Sequence, residues 1–334
     1  MAVMNTLTVP SSSKVLLGCL LTVSGLILFI KVQAYRTLLE QGNDIKFHDI
    51  QVPMLQLIPR STIHYPWVIV TAIFAEISTI SFIISSLVLY SCSKYIENFW
   101  DWKQVVKFVL ICGSLTNLMT VLVTIVTNIG RGDATAMDIP LGGGISYYFG
   151  FLVVLKQLIP EHNIVLFQGM INFRVKHLCF VSLIIVGLWS ILISNSLYPG
   201  LPSINSFFIS YIYLRFYQSF ASDPLLPLTT ANGDSGNTTI ITGDASDTFK
   251  LVEFFPTFTK PFLGMVFDAI YEASVFLGIV KPFNDDIIEQ SNLRAQHRQN
   301  ISNEASKSIA SSVAERRRQV ALQVIEERIN QETK

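Results

Sequence analysis

Apolar residues in this chain gather into long runs instead of alternating with polar ones. Six runs approach or exceed the roughly 20 residues a helix needs to cross a hydrocarbon core. They cover about 15–35, 67–93, 105–128, 142–159, 177–196 and 200–219. Unbroken apolarity of this length predicts membrane helices, not the one-faced stripe of a soluble helix. Val32-Gln33-Ala34, after the first run, has the small-residue form of a signal-peptidase site. Lys31 separates it from the apolar core, and Lys14 is the one basic residue ahead of that core, so a retained helix is expected. Residues 1–220 are therefore expected to form an all-α membrane domain of six spans. No internal repeat of solenoid or transporter type is visible.

The pattern changes after the sixth run. Residues 221–248 read as a flexible linker, rich in Thr, Gly, Asn, Ser and Asp over 229–247. Residues 249–283 turn apolar again and pose the choice between a seventh span and a surface helix. Asp268 and Glu272 lie four apart on one helical face, with Gly264 extending the stripe. Charges are costly in mid-bilayer, so an amphipathic membrane-surface segment is expected. Residues 284–334 read as a charged helical tail. Over about 303–332 a thin apolar stripe through Val313, Val320, Val324 and Ile325 suits either a solvated helix or a docking face for a partner.

Composition agrees with a polytopic membrane protein carrying a polar tail: half of the residues are apolar and only 14% are charged. Net charge is zero, which argues against a nucleic-acid partner. Cys19, Cys92, Cys112 and Cys179 have neither metal spacing nor a disulfide framework and read as buried small hydrophobes. Basic residues set the orientation. Lys94, Lys103 and Lys107 follow the second run, and Lys156, Arg174 and Lys176 follow the fourth. Arg131 alone follows the third, and the loop after the fifth has none. Even-numbered loops, both termini and the tail are thus expected in the cytosol, although Arg36, Lys46 and Arg60 in the loop at 36–66 break the pattern.

Gly143-Gly144-Ile145-Ser146-Tyr147-Tyr148-Phe149-Gly150 opens the fourth run. It resembles the nucleophile turn of rhomboid intramembrane proteases, a Gly-x-Ser-Gly element followed by small residues and a Phe-Gly pair. Registered on Phe149-Gly150, the serine column holds Ile145. Trp67, Thr71 and Glu97 match rhomboid columns around the second span, whereas its His-x-x-x-Asn pair is replaced by Ser81 and Ser85. Hydroxyls can donate to an oxyanion, but the sixth run contains no histidine. A serine without an adjacent base is not an activated nucleophile. Ser146 is therefore expected to pack or cap, with Gly142 to Gly144, Ser206 and Ser210 letting helices approach closely. The resemblance implies a rhomboid-like six-helix bundle with a cytosolic C-terminal tail and without proteolysis.

A closer resemblance rests on Leu155-Lys156-Gln157, Tyr213-Leu214-Arg215-Phe216-Tyr217-Gln218, and Gly243-Asp244 through Asp247 and Phe249 to Phe254-Phe255-Pro256, then Pro261 and Gly264. Together with Glu97 and Trp100, these are similar to the transmembrane protein 115 family over about 67–283. That family consists of catalytically inactive rhomboid-like Golgi membrane proteins. The resemblance implies a role in retrograde Golgi-to-endoplasmic-reticulum transport, with protein glycosylation dependent on it. It also implies membrane-protein cargo and a tail contact with a tethering complex, the conserved oligomeric Golgi complex. No cofactor is implied, and homo-oligomer formation stays open.

Tyr213, Arg215, Tyr217 and Gln218 fit an interfacial belt. A sharper expectation is that Arg215 pairs with Asp244 or Asp247 and pins the linker to the membrane domain. Glu76 is the one acid well inside a span, either functional or bonded to Ser78, Thr79 or a neighbouring helix. A lipid-modifying enzyme or a transporter is the alternative class. The first lacks a His-Asp pair, a metal cluster or paired acids near one membrane face, and the second lacks the several intramembrane charges it would need.

Overall fold

The computed structural model describes residues 9–41, 46–132, 137–161, 163–166, 171–220 and 241–300. Ten helices lie within them: α1 (Ser11–Glu40), α2 (Pro59–Thr62), α3 (Val68–Thr71), α4 (Thr79–Ile96), α5 (Trp102–Arg131), α6 (Ile145–Leu158), α7 (Val175–Leu192), α8 (Gly200–Ile212), α9 (Lys260–Phe276) and α10 over 285–300. Two short antiparallel pairs complete the fold, β1 (Asn163–Leu166) with β2 (Ile171–Arg174) and β3 (Ser219–Phe220) with β4 (Ile241–Thr242). The chain is thus predominantly helical. α1, α4, α5 and α7 are long and apolar enough to cross a membrane, and α6 and α8 are shorter.

Polar and apolar side chains are distributed as a lipid solvent requires. Ile83 and Leu87 on α4 and Ile185, Ile191 and Leu192 on α7 face outward, while Ser85, Ser93, Thr116, Thr120, Ser206 and Ser210 are buried. A water-soluble bundle would put most of these groups the other way round. α6 sits at the centre, packed against α5, α7 and α8, with Tyr147, Phe149, Phe151, Val153 and Val154 in the core. Its short length suffices because protein, not lipid, surrounds it. Gly150 lets α8 close on α6: a Cβ there would lie 2.7 Å from Ser210 Oγ. The Gly150 N–H donates to Ser206 Oγ at 3.2 Å, and Ser206 Oγ donates to the Ser146 carbonyl at 2.9 Å.

The run at 67–93 is not one helix. α3 passes into a 3₁₀ turn over Ala72–Phe74, the chain is irregular through 75–78, and α4 then begins. Freed backbone groups find partners in other elements. Ser24 Oγ donates to the Phe74 carbonyl at 2.8 Å and accepts the Glu76 N–H at 3.3 Å. The Ala72 carbonyl accepts the Gly143 N–H at 2.8 Å.

The end of the expected linker also differs. Over 241–248 the chain pairs as β4 and then buries Asp244, Ala245 and Ser246. The rest of the linker at 221–240 and the tail at 301–334, including its stripe from Val313 to Ile325, lie outside the described residues. α10 is seated on the bundle by Ser291, whose Oγ accepts the Ala245 N–H at 3.2 Å, and by Asn292, which binds Asp247 at 2.8 Å. α9 turns a packed side, with Phe267 on Phe255 and Tyr271 stacked on Phe283, toward the protein. Phe262, Met265, Ile270 and Phe276 point away from it.

Candidate functional site

The irregular 75–78 segment delivers Glu76 to the N-terminus of α6. Its carboxylate accepts the Gly144 N–H at 2.7 Å and a short hydrogen bond from Ser85 Oγ on α4. Tyr148 Oη lies 2.5 Å from Ser85 Oγ. Since the Ser85 proton goes to the carboxylate, Tyr148 is the donor, and a chain runs from Tyr148 through Ser85 to Glu76. A helix N-terminus presents unpaired N–H groups and a partial positive charge, so a carboxylate is stabilised there without a cation. Of the two serines at rhomboid columns, the structure brings Ser85 to this seat and leaves Ser81 a turn away on α4.

Two glycines make the approach possible. Gly142 and Gly143 have φ of +116° and +80°, which side chains other than glycine rarely adopt. A Cβ on Gly143 would also stand 2.9 Å from Glu76 Oε2. Tyr198 Oη donates to the Gly142 carbonyl at 3.1 Å and holds the turn from the other side. Ile145, the first residue of α6, is half-buried beside the seat. Ser146 is buried and spends its hydroxyl proton on the Gly143 carbonyl at 3.0 Å. Both the nucleophile column and the helix N-terminus are thus taken by this chain's own groups.

A second polar cluster lies at the far end of α6. Residues Tyr213–Tyr217 form a π-turn, closed by the Gln218 N–H on the Tyr213 carbonyl at 2.9 Å. The wider turn leaves the Leu214 and Arg215 carbonyls free, and the Asp244 N–H reaches them at 3.2 and 3.1 Å. Arg215 does pin the 241–248 segment, but through backbone: its guanidinium donates to the carbonyls of Asp244 at 2.7 Å and Ser246 at 2.8 Å. The Asp244 carboxylate instead takes Gln157 at 2.8 Å and Arg298 of α10 at 2.9 Å. Gly243, at φ +83°, runs so close to the Arg215 carbonyl that a Cβ would collide with it. Asp247 binds Lys250 and Asn292 at the surface. Beside the cluster, buried Lys156 lays its ammonium 3.3 Å from the Phe254 ring centroid.

The other family positions are structural in their contacts. Glu97 caps α1, accepting the Ser11 and Ser12 N–H groups at 3.1 and 3.2 Å and the Ser12 hydroxyl. Trp67 donates to the Met54 carbonyl at 3.1 Å. Tyr213 packs on Phe108, Phe255 packs on Phe180, and the Pro256 carbonyl accepts Thr259 just ahead of α9. Tyr217 is exposed. Sequence reasoning missed Ser24, Tyr148, Tyr198 and Arg298. A tyrosine in an apolar run looks like core, and only the glycine triplet at 142–144 signals that something approaches closely. Among the described residues no cluster of metal-ligating side chains occurs.

Two outcomes follow from this geometry. Glu76→Leu removes the acceptor for Gly144 and should cost about 1–2 kcal/mol, whereas Glu76→Gln keeps an acceptor oxygen and should cost less. Thermal unfolding of the purified protein in detergent checks the ranking, and equal midpoints for both variants and the wild type would refute the seat. Asp244 lies outside the membrane helices. Burial raises its carboxyl, but the Arg298 guanidinium and hydrogen bonds from Ser246 and Gln157 outweigh burial and hold it below the ordinary range. A depressed carboxylate contributes stability that is complete above its unfolded pKa and lost as pH falls through the folded one. Wild type should therefore exceed Asp244→Asn by about 3 kcal/mol at neutral pH, and the gap should narrow as pH falls below about 4. Unfolding midpoints of both proteins across pH measure it.

The family described as "Eukaryotic integral membrane protein (DUF1751)" matches residues 14–331. A yeast relative, "Transmembrane protein 115 homolog" of Saccharomyces cerevisiae, is 32% identical over 330 residues, covering 96% of this chain and 93% of its own. "Rhomboid-like protein 19" of Arabidopsis thaliana is 28% identical over 223 residues, 65% of each chain. No solved structure matches significantly. A family match across nearly the whole chain, with a yeast relative of the same extent, settles membership: the chain belongs to the eukaryotic integral membrane (DUF1751) family, that of the transmembrane protein 115 homologue.

Proposed function

We propose that this chain is a non-catalytic, rhomboid-like membrane protein of the Golgi that acts in retrograde transport to the endoplasmic reticulum. In this reading it is an adaptor between membrane cargo and cytosolic tethering machinery. The observation that carries the non-catalytic part is the Glu76 carboxylate bound at the α6 N-terminus. In a rhomboid protease that position has to remain open to a substrate carbonyl and to a serine activated by a base. Here a carboxylate fills it, Ile145 follows, and the sixth run has no histidine.

The adaptor part draws on the family's rhomboid-like relatives and on the polar cluster at Asp244. Through Arg298 and Ser291 that cluster ties α10, the start of the tail, to the helix bundle. A tail anchored this way transmits a pull from a cytosolic partner, such as the conserved oligomeric Golgi complex, to the membrane domain. Six spans then put both termini in the cytosol, with α9 lying in the interface so that Phe262, Met265 and Phe276 enter the lipid. Proximity labelling from a tag on the tail should recover tether and coat subunits. A fluorophosphonate probe should leave the purified protein unlabelled. Recovery of lumenal hydrolases, or labelling abolished by Ser146→Ala, would refute the proposal.

A further inference from the structure

A cavity of about 310 Å³ opens at the end of the bundle opposite Asp244, between α5 and the loop that leads into α8. No charged residue lines it among the described residues. One wall carries Thr120, Thr124, Thr127 and Asn128 of α5, and another carries Ser194 and Ser196. The protons of these hydroxyls are already committed. Thr120 and Thr124 donate to carbonyls one turn back at 2.7 Å, and Thr127 donates to Val123 at 2.9 Å. Ser194 and Ser196 both donate to the Tyr198 carbonyl, at 2.8 and 2.7 Å. Asn128 Oδ1 is buried and has no partner.

What remains on these walls is a set of neutral acceptor oxygens together with the side-chain amides of Asn128 and Asn195. Such a surface offers no cation to a phosphate and no counter-charge to an ammonium. It favours a neutral ligand rich in hydroxyl donors, because those donors satisfy oxygens otherwise left short of partners. Leu141, Leu197, Leu201 and Pro202 complete the lining and suit the C–H faces of such a ligand. The volume is at the small end for ligand pockets, enough for one headgroup ring and not for an acyl chain as well. Beside the cavity in the chain stand Ile129 (78% exposed), Leu192 (74%) and Ile193 (64%). Exposed aliphatic side chains next in the chain to the residues of a polar cavity suit contact with lipid tails.

We propose that this cavity binds the uncharged, polyhydroxylated headgroup of a membrane lipid, with Thr124 and Asn128 as acceptors and the acyl chains lying along the exposed apolar rim. It is independent of catalysis and of the tail contacts.

The test uses the full-length protein in phosphatidylcholine nanodiscs and reads the thermal unfolding midpoint. Adding monoglucosyl diacylglycerol should raise the wild-type midpoint by about 3 °C. Thr124→Ser, which keeps the hydroxyl, should retain the rise, whereas Thr124→Val and Asn128→Leu should each lose most of it. Free methyl glucoside giving the same variant-dependent rise would support the hydroxyl chemistry with a soluble source in place of a lipid. The proposal is overturned by no rise, by an equal rise with phosphatidic acid, or by a rise that survives both Thr124→Val and Asn128→Leu. If Thr124→Val fails to fold, Asn128→Leu decides alone.

Discussion

A carboxylate within a helix bundle built for lipid has to find either a cation or a set of backbone N–H groups. This chain uses the second solution twice, with the two acids that flank α4. Glu76, just before α4, sits on the N-terminus of α6, and Glu97, just after it, sits on the N-terminus of α1. α4 is thereby tied to two helices at opposite ends. The rest of the central architecture depends on the Glu76 contact in particular. It explains the break at 75–78, the positive φ of Gly142 and Gly143, and the commitment of Ser85 and Tyr148 to each other and to the acid. It also explains how a rhomboid-like turn can persist without a nucleophile: the helix N-terminus is stabilised by an internal anion.

The far end of α6 follows the same rule with opposite charge. Arg215 is buried and finds carbonyls, not a carboxylate, because the π-turn and the Gly243 bend present them at the right distance. Asp244 is left for Gln157 and Arg298, so the segment after β4 and the helix α10 are held by one buried acid. Breaking such a pair leaves an unsatisfied charge, which costs more than the pair itself contributes. The helix bundle and α10 are consequently coupled through a few polar contacts.

Much of the helical framework was legible in the sequence, since each of the six apolar runs carries a helix. Apolar length is a direct consequence of the solvent, so it survives in a single sequence. The interruption of the second run was not legible, because Ser24 and Gly143, which satisfy its backbone, lie 50 residues or more away in sequence. The glycines at 142–144 announced a close approach but not its partner, Glu76. Arg215 was legible as the residue that pins the 241–248 segment, yet pairing by charge suggested carboxylates where backbone carbonyls do the holding. Tyr148 was hidden inside an apolar run and Tyr198 in the short loop between two of them, where an aromatic ring counts as core and its hydroxyl goes unread. The polar stripe of α5 that lines the cavity was likewise masked by apolar neighbours such as Leu122 and Val126.

The contact between Glu76 and Gly144 can be read directly by amide hydrogen exchange of the 143–148 segment in nanodiscs. Exchange about tenfold slower in wild type than in Glu76→Leu is the expected result, since local opening then has to break the carboxylate's hold on the helix N-terminus. Equal exchange in the two proteins would contradict it and leave the turn at Gly143 without its internal anion.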